Sequence, residues 1–253
     1  MRAFVLLMSL AMPLVAWFAQ RGAFGPTNGA ISDRYPTLVV AAGYAFAIWG
    51  PIFLLDLAFG LWQLSPRRRR DSALAQVRLP AGLGFGLTAL WMPVFSQQHF
   101  LLALAVIWAA LACLALAALR LSRDPRAEPW QALWAWLPLS LHAGWLSLAA
   151  FLNSAQVIVA YRWLSTEHML PWSLVLFALA GALLLGLNRM MRGNLAYVAA
   201  ALWALAAVYV KQASSGLDGA RSAAWVALAL AAVLLVQTLW LQWRAPAPRA
   251  QRC

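Results

Sequence analysis

The sequence predicts an all-α, polytopic transmembrane helix bundle of about eight spans. Three observations carry that reading. Of 253 residues, 64% are apolar by the widest count and only 10% are Asp, Glu, Lys or Arg, where a soluble domain holds about 25% charged and about 45–50% apolar residues. The apolar residues form continuous runs without period-2 alternation, which favours helices over a membrane barrel. The 19 basic residues, set against 7 acidic ones, sit between those runs. A water-soluble globule is excluded, and so is a disordered chain, which needs low hydrophobicity. The formal net charge of +12 is not gathered on one soluble face, as a nucleic-acid binder requires.

A helix needs about 20 mostly apolar residues to cross the hydrocarbon core. On that template the spans fall at 3–20, 37–64, 79–96, 100–120, 131–158, 171–188, 195–211 and 222–243. The first, with Arg2 ahead of the apolar residues 4–19, also has the shape of a secretory signal. No clear small-x-small cleavage site precedes Arg21, and cleavage would leave seven spans. In the third, Gly82, Gly84 and Gly86 lie inside the span, and the GxxxG spacing of Gly82 and Gly86 predicts close helix packing.

Loop charges orient the spans. Arg2, Arg67, Arg68, Arg69, Arg70, Arg78, Arg120, Arg123, Arg126, Arg189, Arg192, Arg244, Arg249 and Arg252 share one side. Arg21, Arg34, Arg162, Lys211 and Arg221 share the other. Cytoplasmic loops collect Lys and Arg, so the fourteen-residue side is expected in the cytoplasm of a bacterial inner membrane, with both termini. The run Arg67 to Arg70 is placed to meet anionic lipid. Cys113, in mid-span, and Cys253, in the tail, form no disulfide framework.

Of the 15 tryptophans, Trp17, Trp62, Trp130, Trp134, Trp163, Trp172, Trp225, Trp240 and Trp243 lie near span ends, where an indole suits the headgroup layer. Trp49, Trp91, Trp108, Trp145 and Trp203 fall well inside spans, where an indole N–H needs a partner or a cavity. Asp56 is the one acidic residue within a span, an expensive placement that marks a functional site and calls for a partner. Trp49 and Asp56 share a face of the second helix. Pro138, His142, Trp145, Ala149, Asn153 and Gln156 form one stripe on the fifth, and Thr88, Trp91 and Phe95 form another on the third.

At about 1.5 Å per residue from the cytoplasmic boundary, Asp56, His142, Thr88 and Trp91 stand roughly 12–18 Å up. Trp49 and Trp145 stand near 21–23 Å, and Asn153 lies higher. The expectation is a buried pocket in which Asp56 pairs with His142. A carboxyl that only ties two helices together is the competing reading.

These residues carry a family resemblance. Tyr44-Ala-Phe-Ala-Ile-Trp49-Gly-Pro-Ile-Phe53 resembles the second-helix signature of the TspO/MBR family, the tryptophan-rich sensory proteins. Ala89-Leu-Trp91-Met-Pro93-Val-Phe95 is similar to that family's third-helix segment. Leu137-Pro138-Leu-Ser-Leu-His-Ala-Gly-Trp145-Leu-Ser-Leu-Ala149-Ala-Phe-Leu152-Asn153 is similar to its fifth-helix pattern. The resemblance implies a TspO-like five-helix core over 1–158, followed by three additional helices over 159–243 and a cytoplasmic tail over 244–253.

It further implies binding of tetrapyrroles or other hydrophobic ligands, sterols among them, under a lid that corresponds here to residues 21–36. Carried over, Trp49, Trp91, Trp145 and Asn153 line the pocket, with Phe46, Phe53 and Ala149 as apolar walls. The sequence departs from the pattern in three places. The Trp-x-Pro-Pro before the second helix is absent, Thr88 or a neighbour stands where the third-helix Asn is expected, and Tyr161 is followed directly by Arg162.

The leading function is a binding or sensory membrane protein for a flat hydrophobic ligand such as a porphyrin. No cofactor is required, although a haem-type ligand would fit the role. The alternative is a proton-coupled transporter of a small hydrophobic or amphipathic solute that uses Asp56 and His142; no pseudo-repeat between the halves supports it. A membrane enzyme needs a nucleophile or metal beside an acid/base pair, and only Asp56 and His142 offer themselves. The expected partners are the lipid bilayer and the ligand, with a homodimer open to it and no nucleic acid.

Overall fold

The computed structural model describes residues 1–124 and 129–244. Arg126, Arg249, Arg252 and Cys253 lie outside the described residues. The chain runs α1 (Arg2–Gln20), α2 (Asn28–Arg34), a 3-10 turn (Gly43–Ile48) continuing into α3 (Trp49–Trp62), α4 (Ser72–Ser96) and α5 (Phe100–Arg123). After one turn of helix, α6 (Pro129–Gln131), and a π turn (Ala132–Trp136), it continues through α7 (Leu137–Ala160), α8 (Leu170–Met190), α9 (Leu195–Ala213) and α10 (Ala220–Trp243). Among the described residues, eight helical segments are long and apolar enough to cross a membrane, and no strand occurs. The fold is the expected helical membrane bundle, and lipid-facing positions such as Leu54, Val175, Val233 and Val236 expose their apolar side chains.

Two spans differ from the sequence expectation, each for a backbone reason. Residues 37–42 are not helical. Pro36 disfavours helix at its predecessor, and the following backbone is satisfied from outside the segment. The Ala42 amide donates to the Ala207 carbonyl at 2.9 Å, and Gln212 Nε2 donates to the Thr37 and Val40 carbonyls, both at 3.0 Å. Irregular backbone at membrane depth is tolerated where it is buried in protein.

The third span begins at Ser72 rather than 79, because Asp71 caps it by accepting from the Leu74 amide at 3.1 Å. Arg78, expected in the loop, lies inside this helix and is buried. Its guanidinium donates to Gln63 Oε1 at 3.1 Å and to the Arg68 carbonyl at 2.6 Å. Pro80 is held in the same helix. A proline there removes the amide that the residue-76 carbonyl would accept, and Arg120 Nη1 donates to the Gln76 carbonyl in its place.

The glycine run packs as its spacing predicts, on two sides. A Cβ at Gly82 would stand 2.6 Å from the Phe4 ring and one at Gly86 2.9 Å from Met8 Sδ, both on α1; at Gly84 it would stand 2.5 Å from Leu114 on α5. The first span is thus built into the bundle, and Arg2 ties it to the end of α3 through the Gln63 and Ser65 carbonyls. Of the span-end tryptophans, Trp17, Trp130, Trp163, Trp225, Trp240 and Trp243 are exposed, and Trp62, Trp134 and Trp172 are half-buried. Arg21 and Arg244 stack on Trp17 and Trp240.

The helices after residue 160 share the same core. A Cβ at Gly144 on α7 would lie 2.1 Å from the Tyr197 carbonyl oxygen on α9, so the two backbones are in direct contact. Tyr197 Oη donates to Ser147 Oγ at 2.9 Å, and Asn194 Nδ2 to Ser140 Oγ at 2.7 Å. Between α8 and α10, Asn188 Nδ2 donates to Gln237 Oε1 and Thr238 Oγ1, the polar cross-linking expected where lipid supplies no hydrophobic drive.

Candidate functional site

The second, third and fifth spans meet at one level, and the side chains that periodicity placed there are in contact. Trp49 stacks on Phe53 at 5.1 Å between ring centroids and turns its edge to Trp145 at 5.8 Å and to His142 at 5.6 Å. Phe46 meets Trp145 at 6.4 Å. Trp91 stacks on Phe95 at 4.9 Å, and its Nε1 donates to Asn153 Oδ1 at 3.0 Å. The Asn153 amide in turn donates to the Ala149 carbonyl at 3.0 Å. The indole N–H of Trp145, buried, has no partner.

Phe46, Trp49, Trp91, Phe95, Trp145, Ala149 and Asn153 line one cavity of about 30 Å³, room for a water or two. Its other walls include Ser32, Val40, Ala41, Ala45, Ile107, Leu152 and Gln156. Gln156 has a signal in the fifth-helix stripe. Ser32, in the lid loop, and Ile107, in the fourth span, carry none, being a small polar residue in a loop and one aliphatic among many. Phe53 lies outside this cavity and lines a neighbouring one of about 50 Å³, which shares Phe46 and Trp49 with the first and is completed by Ala16, Ala19, Gln20, Asn28 and Met92. Phe46 and Trp49 therefore form the partition between two chambers.

The lid loop covers the end of the cavity opposite the arginine-rich face. Thr27 caps α2 by accepting from the Ala30 amide at 3.3 Å. Gln156 Nε2 donates to Ser32 Oγ at 3.0 Å, Ser96 Oγ to Asn28 Oδ1 at 3.2 Å, and Tyr35 Oη to Gln98 Oε1 at 3.0 Å. Three polar contacts thus hold the loop to α4, α7 and the turn after α4.

Asp56, His142 and Thr88 lie beneath the cavity rather than on its wall. His142 Nδ1 is 2.7 Å from Asp56 Oδ2, and His142 Nε2 is 3.3 Å from Thr88 Oγ1. Asp56 and His142 are wholly buried and Thr88 nearly so; Phe85, unsignalled in the sequence, stacks on the imidazole at 6.0 Å. The Thr88 hydroxyl donates to the Gly84 carbonyl at 2.9 Å. Its single proton is then committed, so Nε2 is the donor to Thr88 Oγ1. With Nε2 protonated, one further proton lies between Nδ1 and Oδ2, and the pair is either a neutral acid and imidazole or a carboxylate and imidazolium.

Asp56 Oδ1 has no partner, which leaves a single tight contact rather than a closed network. Trp49, itself part of the partition between the chambers, is in edge contact with the His142 ring. Among the described residues, no group of three or more His, Cys, Asp or Glu is placed to hold a metal ion.

The two mid-span indoles away from this layer serve packing. Trp108 Nε1 donates to Ser154 Oγ at 3.4 Å, and Trp203 Nε1, on α9, donates to the Ala45 carbonyl at 3.1 Å.

A family model described as TSPO-like protein matches residues 2–240. No curated protein and no solved structure matches the chain. A match that begins in the first span and runs into the last makes this chain a member of the TSPO-like protein family through all eight spans, the three after residue 160 included.

Proposed function

We propose that this protein binds a flat hydrophobic ligand, a porphyrin or other tetrapyrrole, in the cavity beneath the lid. The observation that supports it is the convergence of Trp49, Trp91 and Trp145, from three helices, on one cavity that also has the carboxamides of Asn153 and Gln156 on its wall. Indole faces offer stacking area, and a few polar groups fix orientation, as small-molecule sites require. A cavity of about 30 Å³ is far below the roughly 300–1,000 Å³ of such sites. Entry of a tetrapyrrole therefore couples to movement of the lid, or of Phe46 and Trp49, which would join the two chambers. Such coupling suits a sensory protein, since occupancy and lid position become one equilibrium.

The protein is proposed to act in the bilayer of a bacterial inner membrane, as monomer or homodimer, with the arginine-rich end of the bundle in the cytoplasm. Titration of the purified protein in lipid nanodiscs with protoporphyrin, followed by indole quenching and visible absorbance, tests the ligand. Saturable binding that weakens with Trp49→Ala and Trp145→Ala is expected. Absence of saturation, or affinity indifferent to both substitutions, would overturn it.

One observation favours a second reading, proton-coupled transport: the wholly buried Asp56–His142 pair at 2.7 Å, since intramembrane ionisable pairs mark proton relays. Proteoliposome uptake driven by a pH gradient and abolished by Asp56→Asn would establish it; uptake indifferent to the gradient would dismiss it.

A further inference from the structure

We infer that α9, a helix beyond the five-helix core, positions one wall of the ligand cavity, with Gln212 and Trp203 as positioning residues. The inference rests on the ligand-binding reading above.

Residues 33–45 bring Val40, Ala41 and Ala45 to the cavity, yet much of this stretch has no helix to hold it. Its backbone is held largely by α9. Gln212 Nε2 directs both its protons to the Thr37 and Val40 carbonyls at 3.0 Å each. The Ala207 carbonyl receives the Ala42 amide at 2.9 Å, and Trp203 Nε1 reaches the Ala45 carbonyl at 3.1 Å. Lys211 Nζ meets Asp33 Oδ1 at 2.9 Å, but this pair is exposed, and exposed pairs contribute little. The buried contacts, with Gln212 1% exposed, are the ones that fix position.

The other side of α9 explains why this matters for the cavity. The Gly144–Tyr197 backbone contact, less than one side chain wide, and the Tyr197–Ser147 hydrogen bond fix α9 to α7, the helix that carries Trp145, Ala149 and Asn153. α9 therefore contacts both the 37–45 segment and α7, the two elements that carry these parts of the cavity lining. Releasing the Gln212 contacts frees residues 37–42 while leaving the indole wall in place.

The test uses the full chain in nanodiscs, with hydrogen exchange by mass spectrometry and protoporphyrin titration on the same samples. Gln212→Met keeps length and volume but removes the donors. It is expected to raise exchange in residues 37–45 selectively and to weaken porphyrin binding about tenfold, the effect of losing a buried hydrogen-bond pair. Trp203→Phe should do the same to a smaller extent, and Lys211→Met should do neither.

Val208→Ala, a buried α9 position without contact to this backbone through hydrogen bonds, serves as the control for general loosening. At a comparable loss of melting temperature it should leave porphyrin affinity unchanged. Unchanged exchange in 37–45 with Gln212→Met, a rise spread evenly over α4 and α5, or an equal loss of affinity with Val208→Ala would each overturn the proposal. If the unaltered protein binds no porphyrin, the ligand reading fails, and the exchange pattern alone still decides whether α9 holds the wall.

Discussion

Gly144→Ala is the sharpest structural test of the eight-helix unit. The added Cβ would stand 2.1 Å from the Tyr197 carbonyl oxygen, 2.9 Å from its carbon and 3.0 Å from its Cα. Ordinary contact begins near 3.4 Å, and the obstacle is backbone, which no rotamer change moves aside. α7 and α9 must separate by roughly 1 Å in a core packed near crystal density. Overpacking of this kind costs about 1–3 kcal/mol. The same separation stretches the Tyr197–Ser147 and Asn194–Ser140 hydrogen bonds, each worth about 1 kcal/mol net. Alanine is a better helix former than glycine by roughly 0.5–1 kcal/mol, which offsets part of this. The net expectation is a loss of about 2–4 kcal/mol. Unfolding in detergent followed by near-ultraviolet circular dichroism measures it, with Gly186→Ala on α8 as the paired variant. A Cβ added at Gly186 would meet nothing within 4 Å, so that variant should be neutral or slightly stabilised. If Gly144→Ala unfolds within about 0.5 kcal/mol of the parent, the α7–α9 contact is not what joins the last three helices to the core.

Three further outcomes follow from the same geometry. Asp56→Ala and His142→Ala should each cost at least about 1–3 kcal/mol, because each leaves a buried polar partner unsatisfied, and the double variant should cost clearly less than the two combined; additivity in a double-mutant cycle would mean the pair is not coupled. Asn153→Leu leaves the Trp91 N–H buried without its acceptor, an expected loss of about 1–3 kcal/mol in melting experiments, and unchanged stability would show that the indole finds another partner. Gly82→Val drives a branched side chain into the Phe4 ring and should detach α1 from α4, read as cysteine cross-linking between the two helices; full cross-linking in the variant would refute the tight α1–α4 contact.

Periodicity and depth recover what side chains on regular helices can announce. Asp56, His142, Trp49 and Trp145 come from helices whose register is set by a 3.6-residue repeat, so counting from the charged boundary places them at one level. The same counting fails where the backbone leaves the helix. Residues 37–42 are as apolar as a span and read as part of one; what keeps them irregular is Gln212, some 170 residues away in sequence. Thr88 is legible as a member of a stripe, but the orientation of its hydroxyl depends on the Gly84 carbonyl, which composition does not report. Arg78 reads as a loop charge because an arginine in a span is expensive; two acceptors contributed by residues 63 and 68 make the burial tolerable.

The roles of the polar residues then sort by what they neighbour rather than by what they are. Gln156 and Gln212 are both buried carboxamides at the lid end of a span. Gln156 donates to a side chain on the lid itself, a bond that breaks if the lid lifts and is remade when it returns. Gln212 donates to two main-chain carbonyls of the cavity wall, a bond that lifting the lid need not disturb. A ligand that enters by displacing α2 therefore breaks the Ser32 contact and leaves the α9 contacts intact. A ligand that enters through the partition of Phe46 and Trp49 disturbs neither, but moves the ring whose edge rests on His142. Only the second route connects occupancy of the cavity to the Asp56–His142 pair. A ligand association rate that is sensitive to Ser32→Ala and indifferent to His142→Gln thus marks entry under the lid, and the reverse sensitivity marks entry through the partition.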